Sequence, residues 1–203
     1  MPVAPQPLGL RERNKQAKLE RITAAAGALF AKHGVDEVTT QQIAEAADIG
    51  TGTLFLYAKT KGELLLLVQN AHYTDALERG RAAAADASSA LDGVMALVSA
   101  IVDCNRTQVE NGRTYLREMV FGDPAEPRHA EALMIVAQTE QVYSDILIDR
   151  AKVATAEAPS LARVISAIMF LEIGSSLNVD VRTAEILASI RTQVAAILPG
   201  EHS

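Results

Sequence analysis

The sequence predicts an all-α protein: an N-terminal three-helix domain with a helix-turn-helix, followed by a larger C-terminal helical domain. Three observations predict it. Apolar residues recur at helical spacing in one segment after another, and no stretch sustains an alternation of period two. Alanine is abundant, tryptophan is absent and aromatics make up 4% of the 203 residues, a bias that suits helices over sheets. Two capping boxes also punctuate the first seventy residues, each marking where a helix begins. With 49% hydrophobic and 22% charged residues, the composition is that of an ordinary globular protein long enough to bury a core.

The elements follow in order. Pro2, Pro5 and Pro7 make residues 1–11 a flexible N-terminal arm. From about 12 to 33, Leu19, Ile22, Ala26, Leu29 and Phe30 share one helical face. Gly34 ends that helix, with Lys32 and His33 in the last turn, where cations are favoured. "TTQQ" at 39–42 is a capping box, Thr39 with Gln42, and opens a short helix that turns Ile43 and Ala47 inward. "IGTG" follows Asp48, and "TLFLYA" then allows about two turns, with Phe55 reading as core. "TKGE" at 60–63 is the second box, Thr60 with Glu63, and starts a long helix. Beyond residue 87 the amphipathic segments are 91–110, 113–121, about 125–153, 160–179 and 183–198. Breaks fall at Gly112, at "GDPAEP", at "EAPS" and around "NVDVRT", and Pro124 and Pro159 suit helix first turns.

The glycines of "DIGTGTLFLYA" (48–58) invite two readings. A loop that cradles a nucleotide phosphate follows a strand and opens a long helix. Here a capped, alanine-rich helix precedes the glycines, no lysine follows in register, and a third glycine is missing. A helix-turn-helix fits: a short helix, a tight turn, and a second helix whose head enters the DNA major groove. Gly50 suits the turn, and Gly52, lacking a side chain, lets the backbone approach DNA closely.

Charge supports that reading locally. The net charge is −6, which alone weighs against nucleic acid. Residues 1–32 nevertheless hold six basic and two acidic residues, a local +4, whereas residues 71–203 hold 11 basic and 18 acidic, a local −7. Phosphate binding responds to the local field. The basic cluster from Arg11 to Lys18 reads equally as a minor-groove arm or a solvated tail.

Residues 22–68, with the pattern "F…HG…T…IA…A…G…GTL…Y…K…L", resemble the N-terminal domain of the tetracycline-repressor (TetR) family of bacterial transcriptional regulators. The resemblance covers about a quarter of the chain. It implies a DNA-binding domain over 12–59 and a ligand-binding and dimerisation domain over 60–203. It makes Thr39–Ala47 the positioning helix and Thr51–Ala58 the recognition helix. It places Thr39, Thr40 and Gln42 at the groove edge. Thr51, Gly52, Thr53, Leu56, Tyr57, Lys59 and Lys61 then lie against phosphates and bases. Leu56 stands where the family is often polar; it can read a thymine methyl but cannot hydrogen-bond a base edge. Asp48 stands where glycine is frequent, and Ala58 where an aromatic is, which predicts looser packing.

In the acidic part, Ile186, Leu187, Ile190, Val194, Ile197 and Leu198 form one stripe, and 160–179 is apolar on more than one face. A helix apolar nearly all round needs cover on all sides. The resemblance implies that a second subunit supplies it, through a bundle of the last two helices. Ile168, Glu172, Ile186, Ile190 and Val194 are therefore the expected dimer residues. The middle helices are expected to enclose a pocket lined by Asn105, Tyr115, Met119, Glu140 and Tyr143, since buried polar groups need a partner or a ligand. Acids there favour a cationic or amine-bearing effector.

Other classes are disfavoured. Four scattered histidines, at 33, 72, 129 and 202, give no metal spacing. No GxSxG or HExxH occurs, so neither an enzyme nor a cofactor is expected. His72 and Asp75 share a helix face, as surface pairs do. Cys104 is the single cysteine, which excludes an internal disulfide framework. The most apolar run, 164–179, is too short and too polar to span a bilayer. The expectation is a cytoplasmic homodimeric repressor that binds a pseudo-palindromic double-stranded operator and is released by a small molecule.

Overall fold

The computed structural model describes residues 9–199. Among these it contains nine α-helices, one 3-10 turn and no strand. The chain divides into two compact units between Val68 and Gln69. The expected N-terminal arm lies mostly outside the described residues, and Leu10 and Arg11 already belong to the first helix.

The N-terminal unit comprises α1 (Leu10–His33), α2 (Thr40–Ala46), α3 (Thr51–Leu54) and the first two turns of α4 (Lys61–Ala85). Its core is Ile22, Ala26 and Phe30 from α1, Ile43 and Ala44 from α2, Leu54 from α3, and Leu64 and Leu65 from α4. Gly34 ends α1 with φ 78°, a left-handed conformation that only glycine adopts without strain. The first capping box forms in full and the second in half. The Thr39 hydroxyl accepts from the Gln42 amide at 3.2 Å while Gln42 Oε1 accepts the Thr39 amide at 2.8 Å. Thr60 likewise accepts the Glu63 amide, but Glu63 reaches one residue further back, to the amide of Lys59 at 2.6 Å.

The recognition helix is shorter than expected. It ends at Leu54, and Phe55–Tyr57 continue as tight turns, with Tyr57 and Ala58 both donating to the Leu54 carbonyl. Four residues cannot sustain a helix unaided; the segment keeps its form because Leu54 and Ala58 are buried. Phe55, expected in the core, is 45% exposed, because the tightened winding swings it outward.

The C-terminal unit takes the rest of α4 and adds α5 (Ala90–Arg106), α6 (Val109–Phe121), α7 (Pro127–Asp149), α8 (Ala158–Gly174), the 3-10 turn Ser176–Asn178 and α9 (Thr183–Ile197). Val94, Leu97, Val98 and Val102 of α5, with Tyr143 and Leu147 of α7 and Ile165 and Met169 of α8, build its core. Two of the expected punctuation marks read differently. Gly112 does not break a helix: it lies within α6, where a Cβ would fall 2.2 Å from the Asn105 carbonyl oxygen. Pro124 sits in the turn before α7, and Pro127 opens that helix instead.

The apolar stripe of α9 is likewise reassigned. Ile186, Ile190 and Val194 are buried within the single chain, where α9 packs on α5 and α8. They present no surface to a second subunit, because one stripe of a helix can face only one neighbour at a time. Ile168 is half-buried. Glu172 is part-buried and accepts hydrogen bonds from Asn178 Nδ2 at 2.9 Å, Ser189 Oγ at 3.0 Å and Gln193 Nε2 at 2.6 Å. Instead the outer face of α8 and the turn after it expose Val164, Leu171 and Leu177, the last two 73% and 87% exposed.

Truncating a fully buried isoleucine leaves a cavity within one chain. Ile190→Ala should therefore destabilise by about 2–5 kcal/mol, as read by urea unfolding. The loss should be the same across a hundredfold range of protein concentration; a residue at a subunit seam would give a concentration-dependent loss.

Candidate functional sites

The first candidate site is the outer surface of α2 and α3. Thr39 and Gln42 are exposed at the head of α2, and Thr40 is half-buried beside them. Thr51 and Thr53 are half-buried, Gly52 and Lys59 exposed, Tyr57 half-buried, and Leu56 is 83% exposed. Lys61 is half-buried, and its ammonium donates to the Asp36 carbonyl at 3.0 Å. That bond ties the start of α4 to the turn after α1 and leaves Lys61 less available to an outside phosphate.

Asp48 has φ 53°, which explains why a glycine would be at home there: the left-handed region costs a residue with a Cβ, though aspartate tolerates it better than most. Its carboxylate lies 3.5 Å from the Arg21 guanidinium, so its negative charge is partly offset. The two glycines carry no such demand. Gly50 has φ −72°, Gly52 is not in the left-handed region either, and a Cβ on each would meet nothing within 4 Å. Nothing inside the unit requires glycine at position 52, which even weakens a helix.

The same unit carries further basic residues. Among the described residues Arg11, Arg13, Lys18, Lys32 and Lys59 form no ion pair, while Lys15 lies 3.9 Å from Glu12. Arg11 to Lys18 occupy the opening turns of α1. A helix is about 10–12 Å across and the minor groove about 6 Å wide, so in this conformation the cluster can meet phosphates but cannot enter that groove.

The second candidate site is an interior cavity of the C-terminal unit, about 20 Å³ in volume. Its lining includes Tyr73, Ile101, Tyr115, Leu116, Met119, Val136, Thr139 and Met169. Tyr73 and Tyr115 stack with centroids 4.4 Å apart. Asn105 Nδ2 donates to the Tyr73 hydroxyl at 2.6 Å, and the Tyr115 hydroxyl donates to Asn70 Oδ1 at 3.0 Å. Asn70 in turn donates to the Arg128 carbonyl at 2.9 Å. Burial pushes the Tyr73, Tyr115 and Tyr143 phenols upward, keeping all three protonated and uncharged.

Of the residues expected to line a pocket, Tyr115 and Met119 do so. Asn105 is buried and anchors Tyr73. Tyr143 lies in the core with its hydroxyl 3.9 Å from Met169 Sδ. Glu140 is half-buried and outside the lining, so its carboxylate does not favour a cation there. Sequence reasoning missed Asn70 and Tyr73. Both sit on the long α4, where their spacing resembles that of an ordinary apolar helix face. A wider cleft of about 460 Å³, open to solvent, runs along Arg81, Asp145, Asp149 and Arg150.

No group of three or more His, Cys, Asp or Glu residues is placed to hold a metal among the described residues. None of their helices is long and apolar enough to cross a membrane.

Residues 22–68 match the model of the bacterial regulatory proteins of the tetR family, so this segment is an N-terminal domain of that type. The whole fold agrees. A TetR transcriptional regulator from Rhodococcus sp. RHA1 superposes with a TM-score of 0.68 at 20% identity, covering 92% of this chain and 98% of its own. FadR of Thermus thermophilus, a TetR-family repressor solved with lauroyl-CoA, gives 0.71 at 20% identity over 91% and 95%. The fatty acid degradation regulator FadR of Bacillus halodurans gives 0.65 at 13% identity over 96% and 99%. No curated protein matches the sequence.

Cys104 of α5 is half-buried, and burial raises its thiol to about 11, with Arg79 opposing the shift and Asp75 adding to it. The thiolate is the reactive form. Alkylation by iodoacetamide should thus be slow at pH 8 and accelerate about tenfold per pH unit through pH 10. A plateau near pH 9, as for a free thiol, would contradict the assigned environment.

Proposed function

We propose that this protein is a homodimeric transcriptional repressor that binds a pseudo-palindromic operator through α2 and α3 and is released by a small molecule in the cytoplasm. The observation that carries the reading is Gly52. It is exposed at the head of α3, has no conformational or steric need within its own unit, and lies among Thr51, Thr53 and Tyr57. A missing side chain at such a place serves an outside surface that comes close. The hydroxyls and the free Lys59 suit phosphate oxygens, and Leu56 suits a thymine methyl.

Two further features support the remainder of the proposal. Val164, Leu171 and Leu177 give α8 an uncovered apolar face, which a second copy would bury; two recognition helices then meet the major groove about 34–36 Å apart. The expected seam thus shifts from the inner stripe of α9 to the outer face of α8. The FadR neighbour, solved in complex with lauroyl-CoA, supports a small-molecule effector. The effector acts by preferring one conformation of the dimer, and operator affinity falls by its differential affinity for the two states. α4 is the covalent path for that coupling, carrying Leu64 and Leu65 at one end and Asn70 and Tyr73 further along. The small interior cavity favours a second reading, a DNA-binding organiser without an effector.

Fluorescence anisotropy against DNA from immediately upstream of the gene, with a scrambled duplex at equal salt, tests the first part. Specific binding should exceed the control by about a thousandfold. Gly52→Ala should leave thermal stability unchanged or raise it by up to about 1 kcal/mol while weakening operator binding at least tenfold. Equal operator affinity in that variant would refute the close approach. Lys59→Ala should reduce the slope of log affinity against log salt by about 1, whatever the DNA sequence.

A further inference from the structure

The winding that begins at Thr51 continues past the end of α3. The amides of Phe55, Leu56 and Ala58 donate to the carbonyls of Thr51, Thr53 and Leu54, so residues three and four apart share a face. Leu54 and Ala58 take the buried face. Gly52, Leu56 and Lys59 take the opposite one, and all three are exposed. Leu56 is 83% exposed, with Phe55 beside it at 45%, so packing inside the unit accounts for neither side chain. A leucine on a helical face leans toward the turn before its own. Here that turn is the bare backbone of Gly52, where a Cβ would meet nothing within 4 Å. The face is a hydrocarbon wall beside an empty step.

From Ile49 to Ala58 the sequence has no Arg, Lys, His, Asn, Gln, Asp or Glu. Those charged and amide side chains are the ones that grip guanine, adenine and cytosine edges by directed hydrogen bonds. The hydroxyls of Thr51, Thr53 and Tyr57 both donate and accept, so they discriminate poorly between edges. On α2, Gln42 Oε1 accepts from the Thr39 amide and hydroxyl, and Gln41 Nε2 donates to Glu45. An amide that reads adenine needs its oxygen and nitrogen together. The one major-groove feature that a hydrocarbon wall recognises is the C5-methyl group of thymine.

We propose that this protein reads its operator chiefly through thymine methyl groups, with Leu56 as the specificity-determining residue, Phe55 beside it and the step at Gly52 receiving the methyl; this rests on the helix-turn-helix reading above. Burial of a methyl is non-directional and modest in strength, so specificity accumulates over symmetric thymines in the two half-sites. Lys59, on the same face, holds a phosphate and adds affinity without sequence preference.

The test is in vitro selection by the full chain from a duplex library with a randomised core, at one fixed salt. The library is made once with thymidine and once with deoxyuridine, which lacks only the methyl. The thymidine library should yield sites with thymines fixed at related positions of two half-sites, and the deoxyuridine library should not yield those sites. Replacing one fixed thymine by deoxyuridine should weaken binding about three- to fivefold, the worth of one buried methyl group. The same replacement at unfixed positions should change nothing. Leu56→Ala, at a position exposed in the fold, should keep the unfolding temperature and bind the thymine and uracil forms nearly equally. Selected sites without a fixed thymine, equal binding of both forms by the unsubstituted protein, or an undiminished thymine preference in Leu56→Ala would each overturn the proposal and leave the helix-turn-helix reading standing. No enriched site from either library would remove that reading, and this inference with it.

Discussion

A four-residue helix has no stability of its own, and the presentation of the entire N-terminal surface depends on one contact that compensates: the burial of Leu54. With Leu54 fully enclosed alongside Ile43 and Phe30, α3 is fixed against α2, and Thr51, Gly52 and Thr53 stand at its head. The capping box at Thr39 and the hydroxyl cap at Thr60 then fix where the neighbouring helices start. Ala58, small and buried, closes the turn after α3 without the larger ring expected there. The consequence is an outward Phe55 and Leu56, both apolar and both available to a partner surface.

The C-terminal unit solves a different problem, that of polar groups inside an apolar bundle. It pairs them. Tyr73 with Asn105, Tyr115 with Asn70, and Glu172 with Asn178, Ser189 and Gln193 each satisfy the cost of burial. The glycines in this unit serve those pairings and the close helix contacts around them. Gly80 lets α4 approach α5, where a Cβ would lie 2.6 Å from Leu97 Cδ1, and Gly112 lets α6 approach Asn105.

The last two helices illustrate how one amphipathic pattern admits two placements. A stripe such as Ile186, Ile190 and Val194 says that a face is covered, but not by what. In this fold α5 and α8 of the same chain cover it. The uncovered apolar surface passes to α8 and the turn after it, through Val164, Leu171 and Leu177.

The amino-acid sequence alone determined the helical class, the bounds of most helices to within a few residues, the capping boxes and the helix-turn-helix, because these depend on near neighbours: hydroxyl to amide three residues on, apolar side chains three and four apart. The N-terminal surface was legible for the same reason, with all its residues inside one stretch of about twenty. Only the tertiary structure decided that α3 stops at Leu54, that α9 faces inward, and that Asn70 and Tyr73 meet Tyr115 and Asn105 from α4. Those contacts join residues 32 and 45 positions apart. Helical periodicity marks a buried face without naming the element opposite it, so which side chains meet is settled only when the helices pack.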